Sequence, residues 1–147
     1  MFDLTGRTAL VTGASRGLGE RFALTRAKAG AALIVTSRTL ASLEKITAEI
    51  EALGRKCTPL VLDVSSFESI KDAIATVKTK VPKIDILVNN AGCNVRKPAT
   101  EITWEDWNLV LDTNLRAFER AGLVRILAEP NLTSVNGENA EFLDHML

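Results

Sequence analysis

The sequence predicts an α/β protein built on a doubly wound parallel sheet. Short aliphatic and β-branched runs alternate four times with amphipathic stretches at helical spacing between residue 8 and about residue 118. The first run opens directly into a glycine-rich turn and then a helix, "TALVTGASRGLGE". Beyond Asn114 the alternation lapses, so the sheet is expected to be truncated after about four strands and followed by an irregular or short-β tail.

Residues 8–12, "TALVT", form a first strand of the kind buried on both faces. A helix follows over 16–29, with Leu18, Phe22 and Ala29 on its apolar face and Gly30 as its stop. "ALIVTS", 32–37, is the second strand. In "LASLEKITAEIEALG", 40–54, Leu40, Leu43, Ile46, Ile50 and Leu53 recur at intervals of three and four, an amphipathic helix closed by Gly54. "TPLVLDV", 58–64, is the third strand. Ser65 or Ser66 caps a third helix whose inner face carries Ile70, Ala73, Ile74 and Val77, and Pro82 ends it. "IDILVNN", 84–90, is the fourth strand. Thr103 with Asp106 three residues later starts a fourth helix, expected to run through "WEDWNLVLDTNLRAFERA" to residue 121. Buried strands separated by helices require right-handed crossovers and a parallel sheet.

Composition excludes several function classes. Eighteen basic and 18 acidic residues cancel, so no net field draws the chain to nucleic acid or an anionic membrane. No apolar run reaches the roughly 18 residues of a membrane span. "MFDLTGRTALVTG" lacks a basic segment followed by an apolar one, so no signal peptide is expected and the protein is expected in the cytoplasm. Cys57 and Cys93 stand far apart without metal-ligand spacing and read as two reduced thiols, with no metal site.

The chemistry gathers at the carboxyl ends of the strands. Gly13, Gly17 and Gly19 lie between a buried strand and a helix, where glycine permits a sharp turn and lets a pyrophosphate approach the main chain. Ser15, Arg16 and Leu18 complete that loop, and the helix that begins near Arg16 offers unpaired N–H groups to an anion. A P-loop is excluded because no Gly-Lys-Ser/Thr follows the glycines. About 20 residues beyond the glycines, where NAD-selective sites carry an acid for the ribose 2′-hydroxyl, stand Ser37 and Arg38. Guanidinium groups from Arg16 and Arg38 would pair with a 2′-phosphate, which favours NADP over NAD; the competing reading of Arg38 is a solvated surface charge. "LDV" would set Asp63 and Val64 beside the adenine. "NNAG" would set Asn89, Asn90, Ala91 and Gly92 at the same edge, although asparagines also favour plain turns. Together these elements describe a Rossmann-like dinucleotide site.

In this order, "TGASRGLG", "LDV", "NNAG" and the "DTN" that ends in Asn114 resemble the short-chain dehydrogenase/reductase family over residues 1 to about 118. The stretch "NNAGCNVRKPATEITWEDWNLVLDTN" is most similar to members acting on sugar acids, such as gluconate dehydrogenases, or to 3-oxoacyl carrier-protein reductases. The resemblance implies a cofactor-binding first half and hydride transfer between NADP(H) and a carbonyl or alcohol carbon. It also implies a catalytic role for Asn114, holding a proton-relay water, and a later serine, tyrosine and lysine. Here the 147 residues contain no tyrosine, and the last of the eight lysines is Lys97. The one histidine, His145, reads as a solvated residue near the chain end rather than a substitute base. The expectation is therefore a nicotinamide-binding half-domain, residues 1–118, that is catalytically incomplete unless a partner chain supplies what is missing.

Residues 119–147 read as a foreign tail rather than an independent domain. "GLVRILAEPNLTSVNGENAEFL" is similar to a segment of bacterial secretins, a resemblance spanning about 115–143. It implies a chimera joined inside a helix, or alternatively an interaction module linked to secretin or pilus assembly. In the order 3-2-1-4 the fourth strand would be a bare apolar edge, and Trp104, Trp107, Leu111 and Leu115 would be exposed on the fourth helix. Self-association through that strand and helix is the expected consequence.

Overall fold

The structure, a computed structural model, describes residues 2–116 of the chain. Four parallel strands, β1 (Thr8–Val11), β2 (Ala32–Ser37), β3 (Cys57–Val61) and β4 (Ile86–Val88), form one sheet in the order β3-β2-β1-β4. Helices α1 (Gly17–Lys28), α2 (Glu44–Ala52), α3 (Phe67–Lys80) and α4 (Trp104–Leu111) follow the strands in turn. The doubly wound arrangement and the strand order are those predicted.

The sheet's two faces are not equally covered. On one, α1 and α2 pack against Ala9, Val11, Leu33 and Val35 and bury Leu43, Ile46 and Ile50. On the other, among the described residues, α3 covers Leu10 and Ile34 through Val77. In-register pairing of Thr8 with Ala32 through Val11 with Val35 places alternate β1 residues on opposite faces, which is why Leu10 and Val11 belong to different cores.

Several expectations need correction. α1 buries its small-residue face, Gly19, Ala23 and Ala27, whereas Leu18 is 65% exposed and Phe22 lies outside. Close approach of helix to sheet requires the small side chains, so bulk was the wrong guide to the inner face. Leu40 and Leu53 are also exposed, because Leu40 precedes a short 3-10 turn, Ala41–Leu43, and Leu53 sits past the end of α2. The third and fourth strands are shorter than predicted, so Asp63 and Val64 lie beyond β3 and Asn89 and Asn90 beyond β4. Ser66, not Ser65, caps α3 by accepting a hydrogen bond from the Ser69 amide at 3.2 Å. The Thr103–Asp106 capping box starts α4 as predicted, but the α-helix ends at Leu111 and widens into a π turn over Asp112–Arg116. Trp104 and Trp107 are exposed, whereas Leu111 is half-buried; the side chain of Leu115 and the secretin-like stretch lie outside the described residues.

At the sheet's opposite edge, Asp85 joins the start of β4 to the start of β1. Its carboxylate accepts from Lys83 Nζ at 2.7 Å, the Thr8 amide at 2.9 Å and Arg7 at 3.0 Å. The Lys83 contact, then the Thr8 amide and Arg7, hold its pKa well below the usual carboxylate range. A group depressed on folding stabilises the fold above its unfolded pKa and loses that contribution as pH falls. Urea midpoints should therefore decline as pH drops below about 4. Asp85→Asn should flatten this part of the profile, and an unchanged profile would show that Asp85 does not couple to folding.

Candidate functional site

The three loop glycines answer three different needs. Gly13 (φ +65°) lies so close to the chain beyond β4 that an added Cβ would stand 2.8 Å from Ala91 Cα. At Gly19 a Cβ would fall 2.2 Å from the Gly13 carbonyl oxygen and 2.6 Å from Asn90 Nδ2, so only glycine lets α1 rest on the loop. Gly17 (φ +62°) would meet nothing within 4 Å. The first two serve packing; the third bends the backbone beside open space, where a ligand can approach the main chain.

The N-terminus of α1 opens onto that space. Arg16, its extended N-cap residue, makes no side-chain capping bond, whereas Ser66 and Thr103 cap α3 and α4. The first-turn amides of a helix have no intrahelical acceptors and carry its positive dipole end, so this uncapped terminus suits an anion. Ser15 is half-buried, and Arg16, Gly17 and Leu18 are exposed along the same loop.

Thr12 and Asn90 hold the loop in shape. The buried Thr12 hydroxyl accepts from the amides of Asn90 at 3.0 Å and Ala91 at 2.9 Å. Asn90 Nδ2 donates to the carbonyls of Thr12 at 3.0 Å and Gly13 at 3.1 Å. The Ala14 amide donates to Thr36 O at 2.9 Å, tying the loop to β2 as well. Thr12 is absent from the residues the sequence suggested; its signal was a hydroxyl on the last strand position before Gly13. Asn89, by contrast, lines the opposite, α3 face, so the two asparagines do not share one task.

At and just past the carboxyl ends of β2 and β3 stand Ser37, Arg38, Asp63 and Val64, with the Arg38 charge acting on Asp63. Ser37 is buried, with its Oγ 2.6 Å from both Thr39 O and Ser42 Oγ, so its hydroxyl shapes the turn that presents exposed Arg38. Asp63 accepts from the hydroxyl of Ser65 at 2.6 Å and its amide at 2.9 Å. Ser65 is the main reason the Asp63 carboxyl is held below its ordinary value; burial opposes this, and the Arg38 guanidinium adds to it. Arg38 thus has an anionic neighbour already, and Val64, the next residue after Asp63, is buried and borders a cavity on the α3 face.

Asn114 engages the other end of "NNAGC". Its Oδ1 accepts from the Cys93 amide at 2.8 Å and its Nδ2 donates to Cys93 O at 2.9 Å. A Cβ on Gly92 would come within 2.9 Å of Asn114 Oδ1, so Gly92 makes room for this clamp. With both polar atoms committed, the Asn114 side chain fixes the π turn against the loop after β4. Burial pushes the Cys57 thiol up to about 11, away from this site. Among the described residues no cluster of His, Cys, Asp and Glu could hold a metal, and no helix is long and apolar enough to cross a membrane.

Residues 7–122 match the short chain dehydrogenase family, slightly past the boundary expected near 118 and beyond the start of the secretin-like stretch. The chain is 38% identical over 117 residues to gluconate 5-dehydrogenase of Gluconobacter oxydans, covering 80% of this chain and 46% of that protein. It is 45% identical over 118 residues to 2-dehydro-3-deoxy-D-gluconate 5-dehydrogenase of Pseudoalteromonas atlantica, covering 79% and 46%. The solved structure of a metagenomic short-chain oxidoreductase in complex with NADP superposes with a TM-score of 0.72 at 32% identity, covering 78% of this chain and 52% of that one. The chain spans about half the length of these relatives. With its glycine loop, Asn90 clamp and strand order all lying inside the matched region, the chain belongs to the short-chain dehydrogenase family.

Proposed function

We propose that these residues form the NADP(H)-binding half of a short-chain oxidoreductase whose full reaction interconverts a carbonyl and an alcohol on a sugar acid. The observation that carries the reading is the uncapped start of α1 facing open space at Gly17, on a loop held by Thr12 and Asn90. The residues suit a dinucleotide: Gly17 and Ser15 would admit the pyrophosphate on a loop whose close packing needs Gly13 and Gly19, and Asp63 and Val64 would border the adenine. Ala91 and Gly92 would flank the nicotinamide ribose. When bound, the nicotinamide supplies hydride exchange with the carbon being reduced or oxidised. Arg16 and Arg38 would hold the 2′-phosphate, with Arg38 shared between that phosphate and Asp63. The sugar-acid class rests on the names of the gluconate-type relatives; a 3-oxoacyl thioester is the second class weighed from the sequence.

NADPH should bind more tightly than NADH in calorimetric titration, because the 2′-phosphate offers Arg38 a charge-assisted pair. Arg38→Ala should shrink that preference by roughly ten-fold, about the 1.4 kcal/mol expected of one such contact. Equal affinities for the two cofactors in the unaltered chain would overturn the NADP assignment while leaving the pyrophosphate site standing.

A further inference from the structure

The carboxylate of Asp63 is held in one place by the turn that opens α3. Its Oδ1 accepts both the Ser65 hydroxyl, at 2.6 Å, and the Ser65 amide, at 2.9 Å. Its main chain is fixed as well: the Asp63 amide donates to Ser69 Oγ at 3.0 Å, and its carbonyl accepts from the Ser66 amide at 3.1 Å. Oδ2 takes no hydrogen bond among the described residues. With the Ser65 bonds holding its pKa down, the group carries a full negative charge at neutral pH.

Strand pairing sets that charge beside Arg38. β2 and β3 stay in register to Ser37 opposite Val61, and the Leu62 amide donates to Ser37 O at 2.8 Å. Arg38 and Asp63 each stand one position beyond that bond, at the ends of strands that neighbour each other at about 5 Å. The guanidinium acts on the carboxylate as a charge rather than through a hydrogen bond. Arg38 is exposed and can turn toward a ligand, whereas half-buried Asp63 is tied to Ser65 and stays. A 2′-phosphate at Arg38 would therefore meet one attracting charge and one opposing charge that also competes for the same guanidinium. A 2′-hydroxyl carries no charge and meets neither effect. We propose that Asp63 is a second determinant of cofactor preference, a fixed negative charge that keeps the preference for NADPH below what Arg16 and Arg38 would give without it. This rests on the cofactor reading above and gives Asp63 a task beyond bordering the adenine. The adenine is common to both cofactors, so the ratio of their affinities isolates the effect of the charge.

Calorimetric titration of the 147-residue chain with NADPH and NADH tests it. Asp63→Asn keeps an oxygen for Ser65 and removes the charge. It should raise the NADPH-over-NADH affinity ratio about three-fold at low salt, the modest size expected between partly solvated charges. Asp63→Ser, a smaller neutral variant, should do the same, whereas Asp63→Glu keeps the charge and should leave the ratio unchanged. The gain should vanish in about 1 M salt, where the screening length falls to about 3 Å. Neutral variants with the unaltered chain's ratio would overturn the inference and leave the NADP assignment standing. A ratio that starts at parity and rises in the neutral variants would do the reverse. A rise shared by Asp63→Glu would trace the effect to shape and overturn the inference. Binding of neither cofactor by the folded chain would overturn both.

Discussion

Gly19→Ala should unfold the loop's support and abolish NADPH binding together. The added methyl would stand 2.2 Å from the Gly13 carbonyl oxygen, a backbone atom that has no rotamer by which to move away. The same carbonyl accepts from Asn90 Nδ2, so the displacement would reach the β4 side of the site. Overpacking of this kind costs about 1–3 kcal/mol, which lowers the melting temperature by roughly 5–15 °C in a domain of this size. Gly54→Ala is the control, because its φ of +71° is also left-handed but nothing lies within 4 Å. It should cost only the backbone penalty of about 1–2 kcal/mol and leave NADPH affinity unchanged. If Gly19→Ala melts and binds like the Gly54 variant, the packing role of Gly19 is wrong.

The 147-residue chain, assayed alone, should not reduce 5-ketogluconate or an acetoacetyl thioester with NADPH above background. A phenol or equivalent acid must protonate the carbonyl oxygen as it gains electron density, and no tyrosine is present. General acid–base assistance contributes about 10²–10⁴-fold, and correct positioning adds to it, so the residual rate should be undetectable. Asn114 does not compensate, since a carboxamide does not ionise and cannot deliver the proton that a phenol would. Turnover that survives dilution and is lost on Asn114→Ala would contradict this expectation.

Much of the site was legible in the sequence because backbone geometry demanded particular residues. Gly13 and Gly17 occupy left-handed conformations, and Gly19 and Gly92 leave room for neighbours that a side chain would strike. The strand order was the one implied by the resemblance to the short-chain dehydrogenase/reductase family. The roles assigned to side chains fared less evenly. The Ser37 hydroxyl also serves the Thr39–Ser42 turn, a local role that its distance from the glycines did not reveal. Asn114 also clamps Cys93, and the helix widens into a π turn over Asp112–Arg116, which helical periodicity alone could not show. Thr12 passed as an ordinary β-branched strand residue because its two amide partners lie 78 and 79 positions away. The inner face of α1 was misread for a related reason: hydrophobic bulk marks a core only where helix and sheet stand far enough apart to admit it.

NADPH titration of the 147-residue chain beside Gly17→Val tests most directly whether the loop at the start of α1 binds the pyrophosphate. At Gly17 the protein leaves space, so a valine there would strain the left-handed backbone and fill the approach to the main chain without striking the fold. Saturable binding of one NADPH per chain is expected, with at least a hundred-fold loss in Gly17→Val and far-ultraviolet circular dichroism unchanged. Undetectable binding by the folded, unaltered chain, or equal binding by the two proteins, would contradict the assignment of this loop as the pyrophosphate site.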